Sequence, residues 1–249
     1  VKAIKQVIQH QQPEPQNSIP KIQNPKSEIL FPKMIFVEES SNYNGRAIKD
    51  FWIGQYPVTN EEYACFLNNY KSDTVKAGEY KGQTMIEAHA WGVQQENEQW
   101  QTAKGYERHP VICVSWYGAN EYCNWLKITT GENYQLPNEW YWEWVARGGK
   151  KSKNYEYAGS NNLNEVGWYD RNSGRKTHQV GELNANELGL YDMSGNVWEW
   201  CENYDASTST RAVRGGSWSY IANVCRSSFR DRGNPFDTNV NLGFRVVRC

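Results

Sequence analysis

The sequence predicts an α+β domain with little regular secondary structure. Three observations carry this. Two segments with helical spacing lie in the first half, no period holds from 150 to 190, and short strand-like runs close the chain.

The elements follow in order. Residues 1–30 are rich in Gln, Lys, Pro and Asn, as in Gln11-Gln-Pro-Glu-Pro-Gln16. They cannot bury enough apolar surface to offset chain entropy and read as a linker, with a short helical turn over 1–8. The domain is expected over 31–249. Phe51-Trp-Ile-Gly-Gln-Tyr56 reads as a strand. Thr59-Asn-Glu-Glu62 has capping-box spacing, and Tyr63, Phe66, Leu67 and Tyr70 follow on one helical face. Residues 71–108 are polar and read as a long surface excursion. Ser115 reads as an N-cap for a helix carrying Ala119, Tyr122, Cys123 and Leu126, stopped before Gly131. A third, short helix is capped by Asn138 and ends at Gly148. Residues 150–190 read as loops. Strands are expected over 211–216 and 243–248.

The chain has 249 residues and a net charge of −1. A nucleic-acid binder would carry a basic excess, so none is expected as a partner. No run of eighteen apolar residues exists, so no membrane span is expected. The chain starts at Val1 rather than Met and shows no signal peptide, so an upstream domain is possible and localisation is left open. A mean hydropathy of −0.84 is polar, but 12 Trp can build a core from few large side chains. The six cysteines form no C-x-x-C pair and are read as mostly buried, small and apolar.

The ordered blocks Pro57-Val-Thr-Asn60, His109-Pro-Val-Ile-Cys-Val-Ser-Trp116, Leu136-Pro-Asn-Glu-Trp140 with Ala146-Arg-Gly-Gly149, Gly195-Asn-Val-Trp-Glu-Trp200, Arg214-Gly-Gly-Ser-Trp218 and Gly243-Phe-Arg245 resemble the formylglycine-generating-enzyme-like (sulfatase-modifying factor) family. The resemblance spans about 31–248 and implies that family's variant of the C-type-lectin fold. It does not fix function, since one fold hosts several.

Three branches of the resemblance differ in chemistry. The formylglycine-generating enzymes hold copper between two cysteines, which fall here on Tyr220 and Cys225. One thiolate cannot make that two-thiolate site, so no copper and no catalysis of that kind are expected. The sulfoxide-synthase-like branch needs an iron-binding histidine set. His10, His89, His109 and His178 are too scattered for one, so no iron is expected. The third branch, the variable proteins of diversity-generating retroelements in bacteria and phage, carries a hypervariable ligand-binding segment at the C-terminus. Adenine-directed mutagenesis of Asn codons cannot produce Lys, Glu, Gln, Met or Trp, and 219–241 contains none of them.

This branch implies a non-catalytic protein that meets a protein or cell-surface ligand through Ser219, Tyr220, Ile221, Asn223, Val224, Phe229, Asp231, Gly233, Phe236, Asp237, Thr238 and Val240. Ala222, Cys225, Arg226, Ser227, Arg230 and Pro235 would be frame, along with Trp198, Trp200, Trp218 and Phe244. Large apolar residues without a period, interleaved with Asn, Ser and Asp, suit a contact surface. The alternative is an ordinary family member with an enzymatic or structural role. The resemblance also implies a structural calcium ion on Asp192 and Glu199 with the carbonyls of Gly195 and Val197, a hard oxygen set. Glu139 and Glu143, four apart on one helix, are read as making ion pairs or contacts with the helix N-terminal dipole rather than as an acid–base couple. Arg226, Arg230 and Arg245 are expected to meet buried carboxylates.

Overall fold

The computed structural model describes residues 29–249; the turn expected over 1–8 lies outside them. The first half begins with β1 (Met34–Val37), a small hairpin β2 (Ser40–Tyr43) and β3 (Arg46–Ile48), then β4 (Phe51–Gly54) and α1 (Asn60–Tyr70). Next come the hairpin β5 (Val93–Glu96) and β6 (Gln99–Thr102), α2 (Trp116–Thr130), β7 (Tyr134–Gln135) and α3 (Glu139–Ala146). After a long loop region, β8 (Trp198–Asp205), β9 (Thr210–Arg214), β10 (Arg230–Gly233), β11 (Leu242–Phe244) and β12 (Val247–Arg248) complete the chain.

The helix signals act as the sequence implies. Thr59 and Glu62 close a reciprocal capping box on α1. Ser115 caps α2, and Gly131 ends it at φ 77°. Asn138 caps α3.

Two four-stranded sheets organise the domain, in the orders β1-β4-β12-β7 and β10-β9-β8-β11. The first is antiparallel throughout; in the second, β11 runs parallel to β8. The strand expected over 243–248 is in fact two strands. Arg245 and Val246 lie between them and carry the chain from the second sheet to the first. One core packs α1 and α2 against Trp198, Trp200 and Phe244; another packs α3 against Phe51, Ile53 and Val247.

Residues 71–108 correct the reading of a surface excursion. Val75, Met85, Ile86, Val93 and Trp100 are buried there. The polar run 94–99 forms a hairpin whose turn residues Asn97 and Glu98 both sit at positive φ. The Asn68 side chain on α1 bonds both the N–H and the carbonyl of Trp100 at 2.8 Å. Those tertiary bonds, not a local apolar period, fix the segment.

Candidate functional site

The frame grips the segment 219–241 chiefly by its main chain. Arg214 is fully buried, and its guanidinium donates to the carbonyls of Ser227 at 3.0 Å, Ser228 at 3.4 Å and Phe229 at 2.5 Å, and to Glu143 at 2.7 Å. Further along, Asp170 N–H donates to Tyr220 O, Trp116 N–H to Pro235 O and Cys113 N–H to Asn239 O, all within 3.1 Å. The Trp218 indole N–H reaches Val240 O at 3.3 Å. Within the segment, β10 pairs with β9 from Arg230 to Gly233, and Arg230 makes a two-pronged pair with Glu139 at 2.7 Å.

Side chains held this way are left outward. Ser219, Tyr220, Ile221, Asn223, Asp231, Phe236 and Val240 are exposed, with Phe236 at 65% and Ile221 at 58%. The two fully buried side chains of the segment are Cys225 and Ser227, both assigned to the frame. Two hollows flank Tyr220. One, of about 520 Å³, is lined by Trp91, Asp170, Arg175, Trp218 and Ser219. The other, of about 90 Å³, brings Tyr220, Asp231, Gly233 and Asp237 around Trp198. Residues up to 22 positions apart in sequence therefore share one surface, and Asn241 Nδ2 ties to Ser219 Oγ at 3.0 Å.

Four expectations about this surface need correction. Val224 and Phe229 are half-buried against the main core, with the Phe229 ring 6.1 Å from Trp198. Gly233 has no room for a side chain, because a Cβ there would meet the Trp200 ring at 2.7 Å. Trp218 is half-exposed and lines the larger hollow, so it is not a core residue like Trp198 and Trp200. Arg226 pairs with the exposed Glu156 rather than a buried carboxylate.

At the position of the family's cysteine pair, Tyr220 stands 40% exposed with its ring edge-on to Trp198. Cys225 lies fully buried, and burial pushes its thiol up to about 12. It packs so closely under Gly216 that a Cβ there would meet its Sγ at 2.7 Å. This thiol is protonated at neutral pH and behaves as a small core residue.

The residues expected to hold calcium lie on one curled segment, with Asp192, Gly195 and Asn196 all at positive φ. Asp192 is buried and accepts from Gly181 N–H at 2.8 Å and Asn196 Nδ2 at 3.2 Å. Burial raises its carboxyl to about 6. A buried carboxylate held by neutral donors suits a cation. Glu199 fits less well. Its two oxygens take the Arg245 fork at 2.7 Å each, and Oε2 also accepts the Trp142 indole N–H at 2.6 Å. An ion here would have to share Glu199 with an arginine that is itself fully buried. The pairing of Glu199 with Arg245, and of Arg214 with Glu143, was not resolved from spacing alone.

The comparisons with known proteins bear on the frame. The Sulfatase-modifying factor enzyme 1-like domain matches residues 27–249. The chaperone protein LppX of Paenibacillus barcinonensis is 30% identical over 270 residues, covering 86% of each chain. The serine/threonine-protein kinase Pkn1 of Chlamydia trachomatis is also 30% identical, over 90% of this chain but only 39% of the kinase. Among solved structures, Treponema denticola variable protein 1 superposes with a TM-score of 0.65 at 25% identity, covering 88% of this chain and 92% of that one. These names span a chaperone, a kinase, a variable protein and an enzyme-like domain, so the frame alone does not settle activity. Among the described residues no helix is long and apolar enough to cross a membrane. By the match across 27–249 and the motifs at Gly195–Trp200, Arg214–Trp218 and Gly243–Arg245, the chain belongs to the sulfatase-modifying factor family, the formylglycine-generating-enzyme-like C-type-lectin fold.

Proposed function

We propose that this domain is a non-catalytic binding protein that meets a polypeptide or cell-surface partner through the face built by 219–241, as a retroelement variable protein would. The observation that carries the reading is the main-chain grip. Seven carbonyls between Tyr220 and Val240 accept from frame donors, so the outward side chains are not needed to hold the segment. Likeness to Treponema denticola variable protein 1 supports it.

The test is a library in which Ser219, Tyr220, Ile221, Asn223, Asp231, Phe236, Thr238 and Val240 are randomised together within the Asn-codon alphabet. Most members should stay folded, and binders to unrelated protein targets should be recoverable. A library that is mostly unfolded overturns the reading. The enzymatic alternative is tested alongside: no conversion of a cysteine-containing sulfatase peptide is expected, with or without copper. Turnover there would favour the ordinary family member.

A chaperone role is a second reading, favoured by the two-way 86% coverage of LppX. It uses the same face on an unfolded partner, and suppression of aggregation by the wild type but not by multiply substituted 219–241 variants would select it.

Calcium remains part of the proposal, with Asp192 the residue that would gain most. Added calcium should raise the melting temperature of the wild type and not of Asp192→Asn. Equal responses would remove the ion.

A further inference from the structure

We propose that the hollow beside Ser219 is a fixed anchor for an acidic polypeptide segment, its indole corner taking an aromatic side chain and Arg175 the neighbouring carboxylate. The proposal rests on the reading of this face as a binding surface. It differs in that its lining residues, Ser219 apart, lie outside 219–241, so the anchor would stay constant while the segment varies.

The geometry points to a preformed site. Trp91 and Trp218 meet with ring centroids 6.0 Å apart at 62°, forming a corner with both rings half-buried. Trp91 is backed by His89, 5.2 Å away and edge-on. Trp218 is fixed by its bond to Val240 O. Two held aromatic walls give contact area with little ordering cost on binding. The hollow of about 520 Å³ is large enough for a side chain and adjoining backbone.

Charge selects the ligand. The loop 170–176 carries Asp170, Arg171, Arg175 and Lys176, all exposed. Among the described residues none of these four makes an ion pair. Three cations against one carboxylate give this loop a net positive charge, and Arg175 lines the hollow itself together with Asp170. The other hollow, beyond Tyr220, carries Asp231 and Asp237 with Arg232, whose guanidinium is already paired with Asp205. The face is therefore polarised. Indole faces also attract cations, but a lysine or arginine entering here would do so against a loop of net positive charge, whereas a carboxylate meets the forked donor of Arg175 on the hollow's wall.

The Arg175 backbone is restrained as well. It sits at φ 65°, and its N–H donates to Ser173 Oγ at 3.2 Å. Ser173 in turn donates its hydroxyl to Trp218 O at 2.8 Å, so the cation-bearing loop and the indole wall are tied together.

The experiment titrates the full chain with three blocked dipeptides, acetyl-Phe-Glu-amide, acetyl-Phe-Gln-amide and acetyl-Phe-Lys-amide. Binding is read on the indole N–H signals of Trp91 and Trp218 by heteronuclear NMR. Affinity should fall in that order, with Glu preferred over Lys by roughly fivefold, the range of one or two exposed charge contacts. Arg175→Gln should abolish the Glu-over-Gln preference while leaving the spectrum folded. The Tyr220→Ala/Phe236→Ala double variant should keep it. A lysine peptide that binds as well or better, unmoved Trp91 and Trp218 signals, or an Arg175→Gln protein that keeps the preference would each overturn the anchor. The 219–241 library is separate: it can fail while the dipeptides still bind, and the dipeptides can fail while the library folds and binds.

Discussion

At the residue scale, the fold turns on a few buried arginines. Arg245 is fully buried where the chain crosses between sheets. It joins Glu199 on β8 to the carbonyls of Gly54 at 2.9 Å and Tyr191 at 2.8 Å. Removing one member of such a pair leaves a buried charge without compensation, typically at about 3–5 kcal/mol. Arg245→Leu should therefore be strongly destabilising in urea denaturation. Arg226→Ala, which breaks a half-exposed pair with Glu156, should cost less than about 1 kcal/mol. Comparable losses would mean that the buried pair is not what joins the sheets. The expectation of buried carboxylate partners holds for Arg230 with Glu139 and Arg245 with Glu199, where an unpaired carboxylate would be costly, and not for Arg226. Which partner each one meets depends on sheet order, which spacing does not encode.

At the scale of elements, legibility followed how local the cause was. The three helix starts were readable because caps are local: Thr59, Ser115 and Asn138 each bond a backbone N–H within three residues. The strands were readable only in part. β8 contains four consecutive buried residues, Trp198 to Cys201, because both of its faces are covered, so no alternation marks it. β10 reads Arg-Asp-Arg-Gly and exists because β9 and Glu139 hold it, not through strand propensity. The proposed binding segment was visible as a composition without period. Its limits were not, since Gly233 is fixed by the Trp200 ring and Phe229 by Trp198, contacts made across the sheet. The anchor hollow was missed altogether. Trp91, Asp170 and Arg175 come from loops distant in sequence, and the one local signal, three cationic residues in 170–176, looks like any solvated loop.

At the scale of the whole molecule, the proposed function requires stability and recognition to be carried by different parts of one chain. The cores hold Trp142, Trp200, Tyr63, Tyr122, Phe66 and Phe244 at under 2% exposure, whereas the outward residues of 219–241 add contact surface to the outside of that frame. This separation has a direct thermodynamic consequence. Tyr220→Ala and Phe236→Ala together remove two large rings that are 40% and 65% exposed, and should change stability by no more than about 1 kcal/mol. Trp200→Ala removes a fully buried ring whose Nε1 donates to Val114 O at 2.9 Å, and should cost about 3–5 kcal/mol. For a domain of this size that is a fall of roughly 10 °C in melting temperature, against a few degrees at most for the surface pair. Trp218→Ala should fall nearer the surface pair, because its ring lines a hollow and its single polar bond is to Val240 O. Differential scanning calorimetry on the four proteins decides the matter. If the Tyr220/Phe236 double variant melts as low as Trp200→Ala, those rings hold the fold together, and a face that must hold the fold cannot also be free to vary.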